Sequence, residues 1–453
     1  MRKMKQVLGL LLVLSLILSM TACGGKKEPA KNTQADSQTQ ENSTDESKAE
    51  TEEKTEPVTI KLFTNLPDRT TGQGFLEQQI IDKYMTENPN VTIEIEALQD
   101  ESYKTKFTAY TSSNNLPDVL SVWGQPAFID PVINSGYLAE LNEADYADYN
   151  FIPGSLAGFS KNGKIYGLPR NTDIQVVFYN KKLFTDNNIS VPTTMQELYD
   201  VADKLNALGI APCSIDGKDK WPLAIMYTDF IMKLTGDNTL LPKAIGAKDL
   251  SDPNFKKAAD AMHELISKDF FQKSFTASDY GASRNLFAQG KAAMFYMGSW
   301  EMSMATDEAI PEAVRNNIGA FNLPAPDGSV SKITDLSAWN GGGYAVSANS
   351  PVKEEAIKFL NYIYKPENWA KGAWQNGICI PAQSYEEYLT GKETGVQQTL
   401  TNLLTEATNI SGTPINDSGD PTFKTTSEDL CQQFATDMID SETFVKKLNE
   451  ALQ

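Results

Sequence analysis

Histidine is almost absent from this chain: His263 is the only one in 453 residues. That excludes a zinc site built on several histidines, and any Ser-His-Asp triad would have to use this one residue. His263 lies in a stretch whose apolar positions 255, 258, 259, 262, 265 and 266 recur at helical spacing. Asp252 is a candidate cap for that helix and Pro253 fits its first turn. His263 therefore reads as a surface residue of a helix, and His263-Glu264 lacks the second histidine of a metalloprotease motif. Cysteine is scarce too. Beyond Cys23 there are Cys213, Cys379 and Cys431, an odd number that cannot make a full disulfide framework; whether two of them pair stays open. The chain has no Gly-Xaa-Ser-Xaa-Gly elbow, no P-loop and no Gly-Xaa-Gly-Xaa-Xaa-Gly turn. From Gly24 to Pro57 there is no Val, Leu, Ile, Met, Phe, Trp or Tyr. A segment of that composition cannot bury enough apolar surface to offset its chain entropy, so it is expected to be disordered. After the first two dozen residues no apolar run approaches the length of a membrane span.

What is present begins at the N-terminus. Arg2, Lys3 and Lys5 precede an apolar run from Val7 to Leu18, which leads into Leu18-Ser19-Met20-Thr21-Ala22-Cys23. A basic start, a short apolar core and a small residue before the cut describe a secretory signal. The end of this stretch resembles the lipobox of bacterial lipoproteins, with Ala22 fitting the pattern and Met20 standing where Leu is usual. The resemblance implies that residues 1–22 are removed and that Cys23 carries diacylglycerol. Residues 23–57 then read as a lipidated cysteine followed by a flexible spacer. The mature chain would hold 37 basic against 59 acidic residues, a net charge of −22. Such a balance argues against nucleic acid and against anionic lipid as partners.

Residues 58–453 suit two domains. Val58–Thr64 and Val91–Glu96 alternate as strands, with helical patterns near residues 75–84 and 103–110, and Leu116–Val122 reads as a short buried strand. Strand, helix, strand, helix, strand implies an α/β layer with a parallel sheet. The pattern restarts with a strand at Ile174–Tyr179 and a helix opened by a capping box at Thr194 and Glu197. Strands follow at Ala292–Met297, Ile318–Phe321 and Gly343–Val346, then a helix opened by Pro351, and a helical end from about Glu428 to Leu452.

Three stretches in order resemble the extracellular solute-binding proteins of carbohydrate ABC importers, the group that contains the maltose-binding proteins. They are Asn162–Pro169 with Asp173 and Phe178–Phe184, then Phe287–Met294 with Met297–Trp300, then Gly342–Ser347 followed by Ala356, Phe359 and Leu360. Leu116–Val119 adds a weaker match. The resemblance implies a two-lobed α/β fold of the periplasmic-binding-protein kind, with hinge-linked lobes and a ligand cleft between them. Lobe one is expected over residues 58–170 plus 323–382, and lobe two over 171–322 plus 383–453. Hinge strands are expected near Leu168–Asp173, Asn322–Pro324 and Ile380–Gln383. The implied role is the lipid-anchored binding subunit of an ABC importer: it captures a sugar and delivers it to the permease subunits in the membrane. It would work as a monomer at the outer face of the cytoplasmic membrane, on a Gram-positive surface, without cofactor, metal or catalytic residues.

A sugar offers apolar C–H faces and directional hydroxyls, so its pocket needs Trp or Tyr together with carboxylates, amides or Arg. Trp300, at the end of a strand where the family commonly stacks an aromatic, is the first candidate, with Glu301 beside it. Asp173 sits at the expected lobe crossing, where maltose-type proteins carry an acidic sugar ligand. Trp339, Asn340 and Gly341 open a glycine run that lets backbone approach closely. Trp123 and Gln125 follow a strand, and ligands of open α/β sheets bind beyond strand carboxyl ends. Trp221 is expected in the loop Asp216–Pro222, and Asn65, Asp68 and Arg69 follow the first strand. Trp369 and Trp374 are expected to pack inside a lobe. Other classes remain open on the residues alone: a glycosidase using two of the 59 acidic residues, the same fold binding a peptide or polyamine, or a sensor or adhesin that presents sugar elsewhere.

Overall fold

The computed structural model describes residues 56–453. The signal sequence, Cys23 and nearly all of the spacer lie outside the described residues. Two sheets organise the rest. In the first, β1 (Val58–Thr64), β2 (Val91–Ala97), β3 (Val119–Trp123), β6 (Leu168–Pro169) and β12 (Gly342–Val346) lie in the order β2-β1-β3-β12-β6. A separate hairpin joins β4 (Ser160–Lys161) to β5 (Lys164–Ile165). β1 runs parallel to β2 and β3, as the alternation of strand and helix implies. The sheet as a whole is mixed, because β12 runs antiparallel to both β3 and β6. The reason is the direction of re-entry: Gly342 pairs with Trp123, so the returning chain enters this sheet from the end where β3 leaves it.

The second sheet has the order β10-β7-β9-β8, from β7 (Thr172–Asn180), β8 (Ala211–Ser214), β9 (Ala292–Gly298) and β10 (Ile318–Phe321). It too is mixed, with β7 antiparallel to β9 and β10 and only β8 parallel to β9. β9, Ala-Ala-Met-Phe-Tyr-Met-Gly, is buried along its whole length, as a strand covered on both faces must be. β11 (Ala338–Asn340) pairs with the first residues of β7.

Each sheet has its own apolar core. Ile60, Ile80, Phe359 and Leu360 share one with Trp369; Leu198, Phe230, Phe255 and Phe434 share another. Trp369 and Trp374 are both buried, in the packing role expected of them. The helix Met195–Ala207 carries the complete capping box of Thr194 and Glu197. Asp252 caps the helix Pro253–Ser267, and His263 stands on its exposed side. The chain's end is two helices, Pro421–Ala435 and Ser441–Ala451, separated at Asp437 with φ +57° and restarted by the Asp440 cap. The helix expected from Pro351 begins at Lys353 after a turn. Cys213, Cys379 and Cys431 are buried and free, which answers the open question of pairing.

Three chain segments cross between the sheets, and they lie side by side. Arg170 and Asn171 join β6 to β7; Gly341 joins β11 to β12; Pro381 and Ala382 form the third. Backbone bonds tie them together: Thr172 N to Ile380 O at 2.9 Å, Ala382 N to Arg170 O at 3.2 Å and Gly341 N to Asn171 O at 3.3 Å. The crossing expected at Asn322–Pro324 is displaced to Gly341. Leu323, Leu336 and Ala338 all pack in cores of the second sheet, so residues 323–340 belong with lobe two. Buried Asn322 is the cause. Its Oδ1 accepts from Lys233 Nζ at 2.9 Å and its Nδ2 donates to the carbonyls of Ile333 and Asp335, folding residues 322–335 back onto the second lobe.

Candidate functional site

A cavity of about 430 Å³ opens between the two sheets, at the ends of β1 and β3 and beside the crossings. That size lies within the usual range of ligand pockets. The helix Pro126–Asn134 of the first lobe packs against the helices Ile415–Ser418 and Pro421–Ala435 of the second, so the lobes meet around the cavity.

Three indoles form the wall contributed by the second lobe. Trp300 follows Gly298 at the end of β9, and its ring folds back over that glycine so closely that an added Cβ would lie 2.0 Å from it. Its ring centroid is 6.0 Å from that of Trp221 and 6.2 Å from that of Trp339. Trp221 is not in a loop, as expected, but is the first residue of the helix Trp221–Thr235. It is launched by a tight turn in which its N–H donates to Asp219 O at 2.8 Å while Lys220 takes φ +70°. Trp300 Nε1 donates to Tyr280 Oη at 3.0 Å, and Tyr280 donates to Glu301. Glu301 also accepts from Arg284 Nε at 2.8 Å, and Arg284 Nη2 reaches Asp307 at 3.2 Å. Glu301 thus lines the cleft, but its carboxylate is held by protein groups. On the facing wall Trp123 ends β3 with its ring centroid 5.0 Å from Phe128, and Lys104 Nζ stands 5.6 Å from the Trp123 ring. Gln125 precedes the helix Pro126–Asn134 without capping it through its side chain.

The floor is the crossing itself. Asp173 is 4% exposed and its Oδ1 accepts from Asn171 Nδ2. Burial pushes its carboxyl up to about 7, against the pull of the Asn171 bond and the nearby Arg170 charge. A Cβ on Gly341 would come within 1.7 Å of Asp173 Oδ2, so only glycine leaves room for this carboxylate. Arg170 donates to Asn65 Oδ1 at 3.1 Å and to Tyr344 Oη at 3.4 Å, and Asn65 in turn donates to Asp100 Oδ1 at 2.8 Å.

The cavity therefore brings together Trp300, Trp221, Trp339, Trp123, Gln125, Asp173, Gly341, Asn65, Asp68 and Glu301 from the residues expected in it. Two are not on its lining. Asn340 alternates with Trp339 and Gly341 along the strand and faces the other way, its Oδ1 accepting from Thr172 Oγ1 at 3.2 Å. Arg69 is drawn off by an ion pair to buried Glu77 and a bond to Gln78 Oε1 at 3.1 Å. Asp68 is on the lining, yet its Oδ1 accepts from Thr70 N and Thr70 Oγ1. Sequence reasoning missed Arg170, Asn171, Tyr280, Arg284, Gln73 and Lys424. Arg170 and Asn171 directly follow the Gly167-Leu168-Pro169 stretch, which is a signal that could have found them. Tyr280 and Arg284 sit in a helix with no local signature. Among the described residues no group of three or more His, Cys, Asp or Glu is placed to hold a metal ion, and no helix is long and apolar enough to cross a membrane.

The family model described as bacterial extracellular solute-binding protein matches residues 68–368. Among similar proteins, an uncharacterized ABC transporter extracellular-binding protein of Pyrococcus horikoshii is 25% identical over 54% of this chain; the match spans 57% of that relative, little more than half its length. The multiple sugar-binding protein of Streptococcus mutans serotype c is 25% identical over 68% of this chain and 72% of its own. Among solved structures, one from work on xylan utilization by Caldanaerobius polysaccharolyticus superposes with a TM-score of 0.79 at 26% identity, over 86% of this chain and 99% of that one. A chitin oligosaccharide binding protein superposes with a TM-score of 0.78 at 22% identity, over 87% and 98%, and bears on the fold.

Proposed function

This chain belongs to the bacterial extracellular solute-binding proteins, and on that premise we propose that it binds a sugar or oligosaccharide between its lobes and hands it to an ABC permease. The observation that carries the reading is the indole wall of Trp221, Trp300 and Trp339 standing over the buried carboxylate of Asp173. Indoles stack on the C–H faces of a pyranose, while Asp173, Gln125 and Arg170 are of the kinds that read hydroxyls. The names of similar proteins point the same way: one is a multiple sugar-binding protein and another a galactooligosaccharide-binding protein. The role is capture without chemistry, with transport energy supplied by other chains. Cys23 is the lipid attachment point in this reading, and the spacer to residue 57 lets the folded body reach the permease from the outer face of the membrane.

The test is thermal shift against mono- and oligosaccharides, with amino acids, peptides and polyamines alongside. A ligand that binds only the folded state raises the melting temperature. A rise with one sugar class supports the reading. A rise confined to amino acids, peptides or polyamines refutes it.

A further inference from the structure

The helix Trp221–Thr235 is apolar along most of its length, yet it buries two opposite charges one turn apart. Asp229 is 1% exposed and Lys233 is 0% exposed, with Lys233 Nζ 3.8 Å from Asp229 Oδ1. Lysine is almost never buried so fully unless it is paired. Burial raises the Asp229 carboxyl and lowers the Lys233 ammonium, and each charge opposes the shift of the other. Exchanging such a pair for apolar side chains of like volume is often neutral or stabilising, so stability alone is a poor account of it.

The pair grips the segment that leads into β11. Lys233 Nζ donates to Asn322 Oδ1 at 2.9 Å and to Asp335 O at 3.1 Å. Asp229 Oδ1 accepts from Ser337 Oγ at 2.9 Å. Ser337 is the residue before β11, and its carbonyl accepts from Gln175 N at 2.8 Å. β11 has three residues and, among the described residues, pairs only with β7, so its own pairing does little to fix it. Trp339 is its middle residue and stands directly opposite Asp173 in the register. Residues opposite each other in an antiparallel pair share a face. Both of these line the cavity, whereas Asp229, Lys233, Asn322 and Ser337 do not. The same helix begins with Trp221. One element thus sets two of the three indoles, Trp221 directly and Trp339 through Asp229 and Lys233.

Resting on the sugar-binding reading above, we propose that Asp229 and Lys233 are positioning residues for the cleft: they fix β11 so that Trp339 stands beside Trp300 and opposite Asp173, and they set the affinity for saccharide without touching it.

Fluorine NMR of protein labelled with 5-fluorotryptophan tests this, with calorimetric titration of xylo-, gluco- and galacto-oligosaccharides alongside. The chain has six tryptophans, and the signal lost in Trp339→Ala assigns that residue. Asp229→Leu combined with Lys233→Met removes both charges and leaves Asn322 and Ser337 without these partners. Ser337→Ala removes only the bond to Asp229 and takes the place of the double variant if that does not fold. The Trp339 signal should shift, broaden or split, while that of Trp369, in the core of the first sheet, stays in place. Affinity for an oligosaccharide that binds wild type should fall by about 2- to 12-fold, the reach of one stacked ring. In a Trp339→Ala background the same change should cost less than about twofold, because it acts through that ring. A Trp339 signal that does not move in the folded variant, or an equal loss of affinity with and without Trp339, overturns the inference and leaves the sugar reading standing. If no saccharide binds, the sugar reading falls, and the Trp339 signal alone decides whether the pair positions that ring.

Discussion

Replacing Asp173 by asparagine should stabilise the empty protein, and by an amount that grows with pH. Burial raises the Asp173 carboxyl from its ordinary 3.8 to about 7. In the unfolded chain the group loses its proton near 3.8, while in the folded protein it keeps it to about 7. Between those values the unfolded state binds fewer protons, so stability falls as pH rises. The loss is about 1.4 kcal/mol per pH unit and totals about 4 kcal/mol once pH exceeds the folded value. The substituted amide would keep an oxygen to accept from Asn171 Nδ2 but carries no charge to desolvate. Urea unfolding of both proteins at several pH values from about 4 to 8 measures the difference. The two should be nearly equally stable at about pH 4, and the variant should lead by about 4 kcal/mol at about pH 8. A constant difference across this range, or a wild type that gains on the variant as pH rises, would refute the assignment of Asp173 as a desolvated carboxylate.

Tyr280→Phe removes the hydroxyl that links Trp300 Nε1 to Glu301; loss of about 1–3 kcal/mol of stability and a shift in tryptophan emission are expected, read by urea unfolding and fluorescence. Gly341→Ala places a methyl where Asp173 Oδ2 now sits; calorimetry should show ligand affinity reduced more than about tenfold, with about 1–3 kcal/mol of stability lost as the carboxylate is forced aside. Lys220→Gly relaxes the positive φ of the turn that presents Trp221 but gives up the ion pair of Lys220 to Asp429. Strain of this kind costs on the order of 1–3 kcal/mol and an exposed pair contributes less, so the melting temperature should rise.

The elements that were legible in the sequence are those whose signal is local. β1 and β2 alternate, β9 is an unbroken apolar run, and the Thr194–Glu197 capping box marks a helix start within four residues. What stayed hidden depends on contacts distant in the chain. The antiparallel course of β12 is set by where the chain returns after its passage through the second lobe, and the crossing at Gly341 rather than near Asn322 is set by Lys233, 89 residues away from Asn322. β8, only four residues long and containing Pro212, has too little pattern to be seen. The same division runs through the site. Tryptophans beside polar residues stand out, and all four expected at the cleft line it. Asn340 fails by strand alternation and Arg69 by its pairing with Glu77, and only three-dimensional placement reveals either. The Tyr280–Glu301–Arg284 chain joins a helix to the residues after β9, with no motif on either side.

The central claim is that saccharide binds in the interlobe cleft against Trp300. Calorimetric titration of wild type and Trp300→Ala with the saccharide that most raises the melting temperature tests it most directly, once circular dichroism has shown the variant folded. A stacked ring contributes about 0.5–1.5 kcal/mol beyond the area it buries, so from stacking alone affinity should fall by at least about 2- to 12-fold, at about 1.4 kcal/mol per factor of ten. An unchanged affinity in the folded variant would contradict the account.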